Sequence, residues 1–364
     1  MIAAFLALVL VSAGDYPGFV PPPNGTGDEI LAASPRSFAM GGISAGLRDP
    51  VRFPLLNPAA SGWALESGIC LGGRYAEGDA EAWSGFLGFP NASLVIPLPW
   101  NLTLTGAIAS RSRLLESADR IFEDYKGRIE WSGGLEESYA GVTFRGTDWL
   151  AVSLGGRCTF GSIVADVTLT PFDPGPPVPV NTVYRDDASL GQAWGGQLGL
   201  MIGTPAVSLG FSVTTDREGI VDVRRDYSGE GSDSLSMAYE IPGEIAAGAS
   251  VRPVGWLLVG ADVFTRKALN LLGSRMEGGS VVALGMEADL GSGFAARAGY
   301  NRMHGLWRDS ARTLTAGGGY AFDGGHGGID VAAGFQSWTD SLGADRGETV
   351  FSFSLWATES WLGE

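Results

Sequence analysis

From Ala64 onward, apolar residues recur at every second position, and the positions between them carry glycine and whole charges. In Trp256–Phe264, Leu257, Val259, Ala261 and Val263 fall on one face, with Gly260 and Asp262 on the other. In Phe294–Asn301, Phe294, Ala296, Ala298 and Tyr300 oppose Arg297, Gly299 and Asn301. Val282, Leu284, Met286 and Ala288 likewise oppose Gly285, Glu287 and Asp289, and Ile329, Val331, Ala333 and Phe335 oppose Asp330, Gly334 and Gln336. A period of two is the strand period, because successive side chains point to opposite sides of the pleat. A soluble β protein, the competing reading, usually fills its polar face with Lys, Thr and Glu and little glycine. Charges and glycine in mid-strand suit a transmembrane barrel, whose outer face meets lipid and whose inner face meets a polar lumen.

The connections support the same reading. Strands at about 64–75, 83–98, 100–112, 134–146, 148–161, 192–203, 205–216, 236–251, 254–267, 279–290, 293–303, 312–322, 327–338 and 348–361 make fourteen. Short and long connections then alternate, as the periplasmic turns and external loops of a barrel do. The short ones include Gly203-Thr204-Pro205 and Gly291-Ser292; the long ones include 113–133, 162–191 and 217–235. Ile163–Thr170 reads as a further strand and is assigned to an external loop, as a small hairpin, because a fifteenth strand breaks the alternation. Ser112–Tyr125 is open between a short helix and a loop. Trp83, Trp100, Trp149, Trp256 and Trp361 fall near strand ends, where an interfacial belt places them.

Composition removes other classes. With 24 basic and 40 acidic residues the net charge is −16, the wrong sign for a nucleic-acid partner. Two histidines, His304 and His326, leave little for a His-based triad or metal site, so no catalytic residue, metal or cofactor is assigned. Glu136 and Glu137 are adjacent on a strand and point to opposite faces. Cys70 and Cys158 also fall on opposite faces and are not expected to bridge. Met1–Ala13 is a short apolar stretch ending in Val11-Ser12-Ala13, read as a signal peptide with no preceding Lys or Arg. Residues 14–62 follow as a Pro- and Gly-rich tether and a plug, and 63–364 as the barrel.

Ser34–Ser61 reads SPRSFAMGGISAGLRDPVRFPLLNPAAS. Its arginine, the Ala39-Met40-Gly41-Gly42 run and Asn57-Pro58-Ala59 resemble the N-terminal signature of FadL-type outer-membrane transport proteins, and equally the related PorV-like barrels of protein secretion systems. Ile241-Pro242-Gly243-Glu244, Arg252-Pro253, Ala296-Arg297-Ala298-Gly299-Tyr300 and Gly328-Ile329-Asp330 extend the resemblance over about residues 34–361. It implies a 14-stranded antiparallel transmembrane barrel in the bacterial outer membrane, with an N-terminal luminal plug, or hatch. Arg36, Met40, Gly41, Gly42, Asn57, Pro58 and Ala59 inherit hatch roles. The implied function is passive passage of hydrophobic small molecules such as long-chain fatty acids; the PorV-like branch implies a protein cargo or partner instead. Asn before Pro makes a rigid turn whose amide can tie the buried loop to charges on the wall.

Charges in strands are placed inside, since an arginine facing lipid at mid-membrane costs about 2–4 kcal/mol. The candidate lumen set is Arg74, Arg111, Arg145, Arg157 and Glu244 in the first part of the wall, with Arg252, Asp262, Glu287, Asp289, Arg297 and Asp330 in the second. Most are expected to pair with each other or with the plug. The sharper reading gives some arginines a carboxylate headgroup to hold.

Overall fold

The computed structural model describes residues 28–29, 34–52, 55–78, 86–121, 125–171, 182–227, 232–271, 274–276, 278–305, 310–339 and 345–359. The expected signal peptide, most of the tether, Trp83 and Trp361 lie outside the described residues.

The strands in chain order are β1 (Asp28–Glu29), β2 (Ser67–Gly78), β3 (Phe86–Leu98), β4 (Leu102–Ile121), β5 (Tyr125–Thr147), β6 (Leu150–Pro171) and β7 (Thr182–Gly203). They continue with β8 (Val207–Thr214), β9 (Arg217–Tyr227), β10 (Ser232–Ile241), β11 (Glu244–Val254), β12 (Leu257–Arg266) and a small hairpin of β13 (Leu269–Leu271) and β14 (Ser274–Met276). The last are β15 (Gly279–Gly291), β16 (Phe294–His304), β17 (Arg312–Phe322), β18 (Gly327–Thr339) and β19 (Asp345–Glu359). Neighbours pair antiparallel, and β19 returns to β2 from Glu348↔Gly78 to Glu359↔Ser67, so the sheet closes on itself.

Two staves are each interrupted once. The lower part of β7, Gln197–Gly203, pairs with β8, and its upper part, Tyr184–Leu190, pairs with β9. β10 pairs with β9 just as β11 pairs with β8. The breaks fall at Thr215–Asp216 and Pro242–Gly243. Proline has no N–H to give the ladder, and the Asp216 carboxylate accepts from the Gly243 N–H at 2.5 Å instead. Counting each interrupted pair once gives a closed barrel of 14 strands.

The wall is of uneven height. β5, β6 and β7 run for 23, 22 and 22 residues, whereas β12, β16 and β17 have 10, 11 and 11. This corrects three expectations. Ile163–Thr170 is no hairpin; it is the upper end of β6, paired with β5 from Gly133↔Ile163 to Lys126↔Thr170. Ser112–Ile121 is neither helix nor loop but the upper end of β4. The stretch 217–235 is mostly β9 and the start of β10. Inward side chains hold this tall wall together: Leu114, Ile129, Trp131, Ile163, Val167, Leu190, Val221 and Tyr239 form one buried apolar cluster. Its strands therefore keep pairing beyond the membrane.

The outer face is apolar over a band that includes Leu71, Ile108, Leu154, Leu198, Phe211, Leu284, Leu314 and Phe353. Trp100, Trp149 and Trp256 are exposed at the short turns below that band. There, amphipathic rings suit the water–lipid boundary.

One stretch of wall is built differently. β3 pairs with β4 over Asn91–Leu98, while its Phe86–Gly88 stretch is paired with β2. On β4, Ser112 and Arg113 have β5 on one edge and β1 on the other, with Glu29↔Ser112 and Asp28↔Arg113. The chain just before the plug thus occupies the edge of β4 that β3 has left.

Candidate functional site

Residues 34–52 and 55–63 lie inside the barrel. Ser34 caps a one-turn helix, α1 (Pro35–Ala39), accepting from the Ser37 N–H at 3.2 Å, with Pro35 at the first helical position, where no N–H is needed. Asn57 caps a 3₁₀ turn over Pro58–Trp63 in the same manner. The first turn packs against β16–β19 and the second against β4–β7, so the segment spans the lumen. Gly41 has φ +76°, and a Cβ there would stand 2.7 Å from the backbone of Leu284 and Tyr300. Only glycine lets the plug lie this close to β15 and β16.

Charges join plug to wall in one balanced network. Arg36 grips Glu287 with two parallel hydrogen bonds, Nε to Oε2 and Nη2 to Oε1, both 2.7 Å, and gives Nη1 to Asp49 at 2.7 Å. Arg52 meets Asp49 at 3.0 Å and Asp330 at 3.1 Å. Arg297 on β16 closes the ring, 2.6 Å from Glu287 and 2.6 Å from Asp330. Three arginines thus meet three carboxylates, as burial requires. Nearby, Asp262 accepts from the backbone N–H groups of Ser44, Ala45 and Gly46.

Above the plug lies a second, unbalanced lattice. Arg157 donates to Glu137 at 2.9 Å and to Glu244 at 3.1 Å. Arg217 binds Glu137, and Arg111 on β4 reaches across the lumen to Glu244 on β11. Here three arginines share two glutamates. The side chains of Arg157 and Arg217 are each 1% exposed. Even so, Arg157 Nε and Arg217 Nε and Nη2 have no hydrogen-bond partner. The lattice is the floor of the apolar interior of the tall wall. Beside the plug, a small recess is lined by Gly42, Ala45, Leu56, Ala246, Phe264 and Val281, with Asp262 as its charged group.

No protein-family model and no curated protein matches the chain. Solved structures do. A Pseudomonas aeruginosa FadL homologue superposes with a TM-score of 0.69 at 15% identity, over 91% of this chain and 99% of its own. The CymD monoaromatic hydrocarbon channel gives 0.64 at 17%, over 92% and 99%. The Ralstonia pickettii toluene transporter TbuX gives 0.64 at 15%, over 90% and 98%. The chain has the FadL-type barrel fold. That fold, closed and apolar outside, is one of the bacterial outer membrane.

Within it, the expected lumen residues separate into groups. Glu287, Arg297 and Asp330 join the plug network, and Arg111, Arg157 and Glu244 form the upper lattice. Arg74 stacks on the Phe38 ring of the plug at 4.7 Å. Arg145 lies at the lower mouth, 3.5 Å from the Asn101 side chain. Two placements are corrected: Arg252 bonds the Gly255 carbonyl at 3.0 Å, and Asp289 accepts from the Gly291 N–H at 2.9 Å. Both sit at the periplasmic ends of their strands, where register shifts at Val251/Val254 and Asp289/Gly291 break the alternation. Glu136 and Glu137 do diverge. Glu137 is buried in the lattice, and Glu136 takes the Ser110 hydroxyl at 2.9 Å. Cys70 and Cys158 are both free. At the periplasmic end Glu66 accepts from the Thr358 hydroxyl at 2.7 Å, a bond that lowers its pKa, with His326 assisting at 2.9 Å.

Sequence reasoning missed Glu137 and Arg217 as lumen groups of the upper lattice, and Asp49 and Arg52 as plug partners of Arg36 and Asp330. Arg217 falls in the stretch 217–235, which the alternation of connections assigns to an external loop. Asp49 and Arg52 carried a usable signal, being charges in a segment destined for burial.

Asn57 also differs from expectation. Its amide donates to two backbone carbonyls, Ala45 at 2.8 Å and Leu200 of β7 at 3.1 Å, rather than to wall charges. Asn57→Ala leaves two buried acceptors unmet, at about 1–3 kcal/mol each. Urea unfolding in micelles, followed by tryptophan fluorescence, should show a lower midpoint. An unchanged midpoint refutes the tie.

Proposed function

We propose that this barrel is a passive outer-membrane channel for hydrophobic small molecules, and that its preferred cargo is a single-chain amphiphile ending in a carboxylate, such as a long-chain fatty acid. The observation that carries this reading is the vertical order inside the tall wall. An apolar interior lies above an arginine lattice that holds one more cation than anion and keeps unused N–H donors. An alkyl chain suits the first, and a carboxylate, which guanidinium binds with paired hydrogen bonds, suits the second. Diffusion through such a path uses no nucleotide and no covalent step. Structures of the same fold include a monoaromatic hydrocarbon channel and a toluene transporter, which supports apolar cargo in general.

The test is native mass spectrometry of protein purified gently from its own membrane. The expected result is one adduct of a few hundred daltons that is released as a monocarboxylic acid. Release of a neutral hydrocarbon would keep the channel and reject the carboxylate. A stoichiometric protein partner without any small ligand would replace the reading with the secretion-barrel one.

A further inference from the structure

Outward-facing arginines at the external rim fall into two kinds. On the tall wall each has a carboxylate two residues along its own strand: Arg128 and Glu130 at 2.9 Å, Arg185 and Asp187 at 3.0 Å, Arg224 and Asp226 at 3.0 Å. On the short wall the arrangement is the opposite. Arg302 of β16 and Arg312 of β17 are direct cross-strand partners, and both are exposed. Neither makes an ion pair or hydrogen bond among the described residues. Side chains directly opposite on one face have Cβ atoms about 5 Å apart, and like charges so placed repel. In a chain of net charge −16, two guanidinium groups are thus left facing one another.

Their height identifies the surroundings. Ten residues separate Arg312 from Phe322, which stacks with Tyr320 at the periplasmic end of the same strand. At about 3.3 Å per residue and a tilt near 40°, that is roughly 25 Å, the height of the apolar band of such a barrel. The arginine pair therefore stands at the outer edge of the hydrocarbon. The next outward row below it is Leu284, Tyr300, Leu314 and Phe335, with Leu314 64% exposed.

We infer that Arg302 and Arg312 form a docking site for the phosphate of an outer-leaflet lipid, with that lipid's acyl chains lying on Leu284, Leu314 and Phe335. A phosphomonoester carries a charge between −1.5 and −2 near neutral pH, which matches two guanidinium groups. It also offers enough oxygens for both to bind at once. The site therefore takes a phosphorylated glycolipid in preference to a phosphodiester lipid of single charge. It lies outside the lumen and is independent of what the channel carries.

The probe is hexa-acylated lipid A bearing both phosphates, compared with the same lipid after enzymatic dephosphorylation, each in nanodiscs holding the full-length protein. Lipid retained through detergent extraction is counted by native mass spectrometry. Wild-type protein should keep the phosphorylated form at least tenfold better. The double variant Arg302→Gln/Arg312→Gln should lose that preference, and Arg185→Gln on the tall wall should not. Heat-modifiable gel migration checks folding, and Arg312→Gln alone carries the same reading if the double variant does not fold. Equal retention by wild type and variant, or a wild type indifferent to the phosphates, overturns the site. Displacement of the lipid by millimolar inorganic phosphate alone would reassign it to a free anion and overturn the lipid docking.

Discussion

Arg36→Ala is expected to turn a closed barrel into a leaky, less stable one. Arg36 is 7% exposed and is the one plug residue that binds both Asp49 and Glu287. Its removal leaves Arg52 and Arg297 to balance three buried carboxylates. Breaking a buried pair by deleting one partner costs about 3–5 kcal/mol. Much of that falls on the plug, because the wall keeps its full ladder of backbone bonds. Planar-bilayer recording should show steady ion conductance where wild type is closed, and a thermal melt should show a lowered first transition. Arg36→Lys should recover only part of the loss, since an ammonium cannot make the two parallel bonds to Glu287. A non-conducting Arg36→Ala protein with an unchanged melt would remove the network from any role in holding the plug.

Gly285→Val with Gly299→Val should expel the plug by sterics while sparing the wall. The two glycines are direct cross-strand partners on β15 and β16. A Cβ on either one would overlap plug backbone, the Met40 carbonyl above Gly285 and the Gly41 N–H above Gly299. Backbone atoms cannot swing aside as a side-chain tip can. Overpacking of this kind costs about 1–3 kcal/mol per site, so two sites shift the balance toward an emptied lumen by at least tenfold. Valine suits a strand, so the barrel should still migrate as a folded species on a semi-native gel. Cells carrying the variant should become sensitive to large polar antibiotics that the wild-type barrel excludes. Retained resistance, with the protein correctly inserted, would show that the plug does not sit on these glycines in the membrane.

Much of the wall was legible because a strand allows a charge only two directions. Asp262, Arg297 and Asp330 alternate with Val263, Ala298 and Val331, and that pattern alone sends them inward. The short turns were legible too, through Gly291-Ser292 and Gly203-Thr204-Pro205. The tall wall was not. Ile163, Ala165 and Val167 alternate as well as any stave, yet the alternation of short and long connections leaves no place for a fifteenth strand there. What carries β4–β7 beyond that point is an apolar interior assembled from strands distant in sequence, which no local pattern reveals. Ser112–Tyr125 has spacing open between a helix and a loop, and only the pairing of Ser112–Ile121 with β5 makes that part a strand. The plug is harder still. Its residues have no period, and Asn57 is defined by a carbonyl 143 positions away. The resemblance of Asn57-Pro58-Ala59 to a known signature located the segment; geometry was needed to show what it touches.

The two-residue strand β1 has a consequence for how the lumen can empty. Residues 34–63 run on to Ser67 at the periplasmic end, and the chain ahead of them is stitched to Ser112 and Arg113 of β4 near the outer end. A segment anchored at both ends is a thread and not a cork. It cannot drop out into the periplasm as a single piece unless its outer stitch gives way first. It can slacken, and slack in a thread opens a passage along one flank while the other flank stays filled.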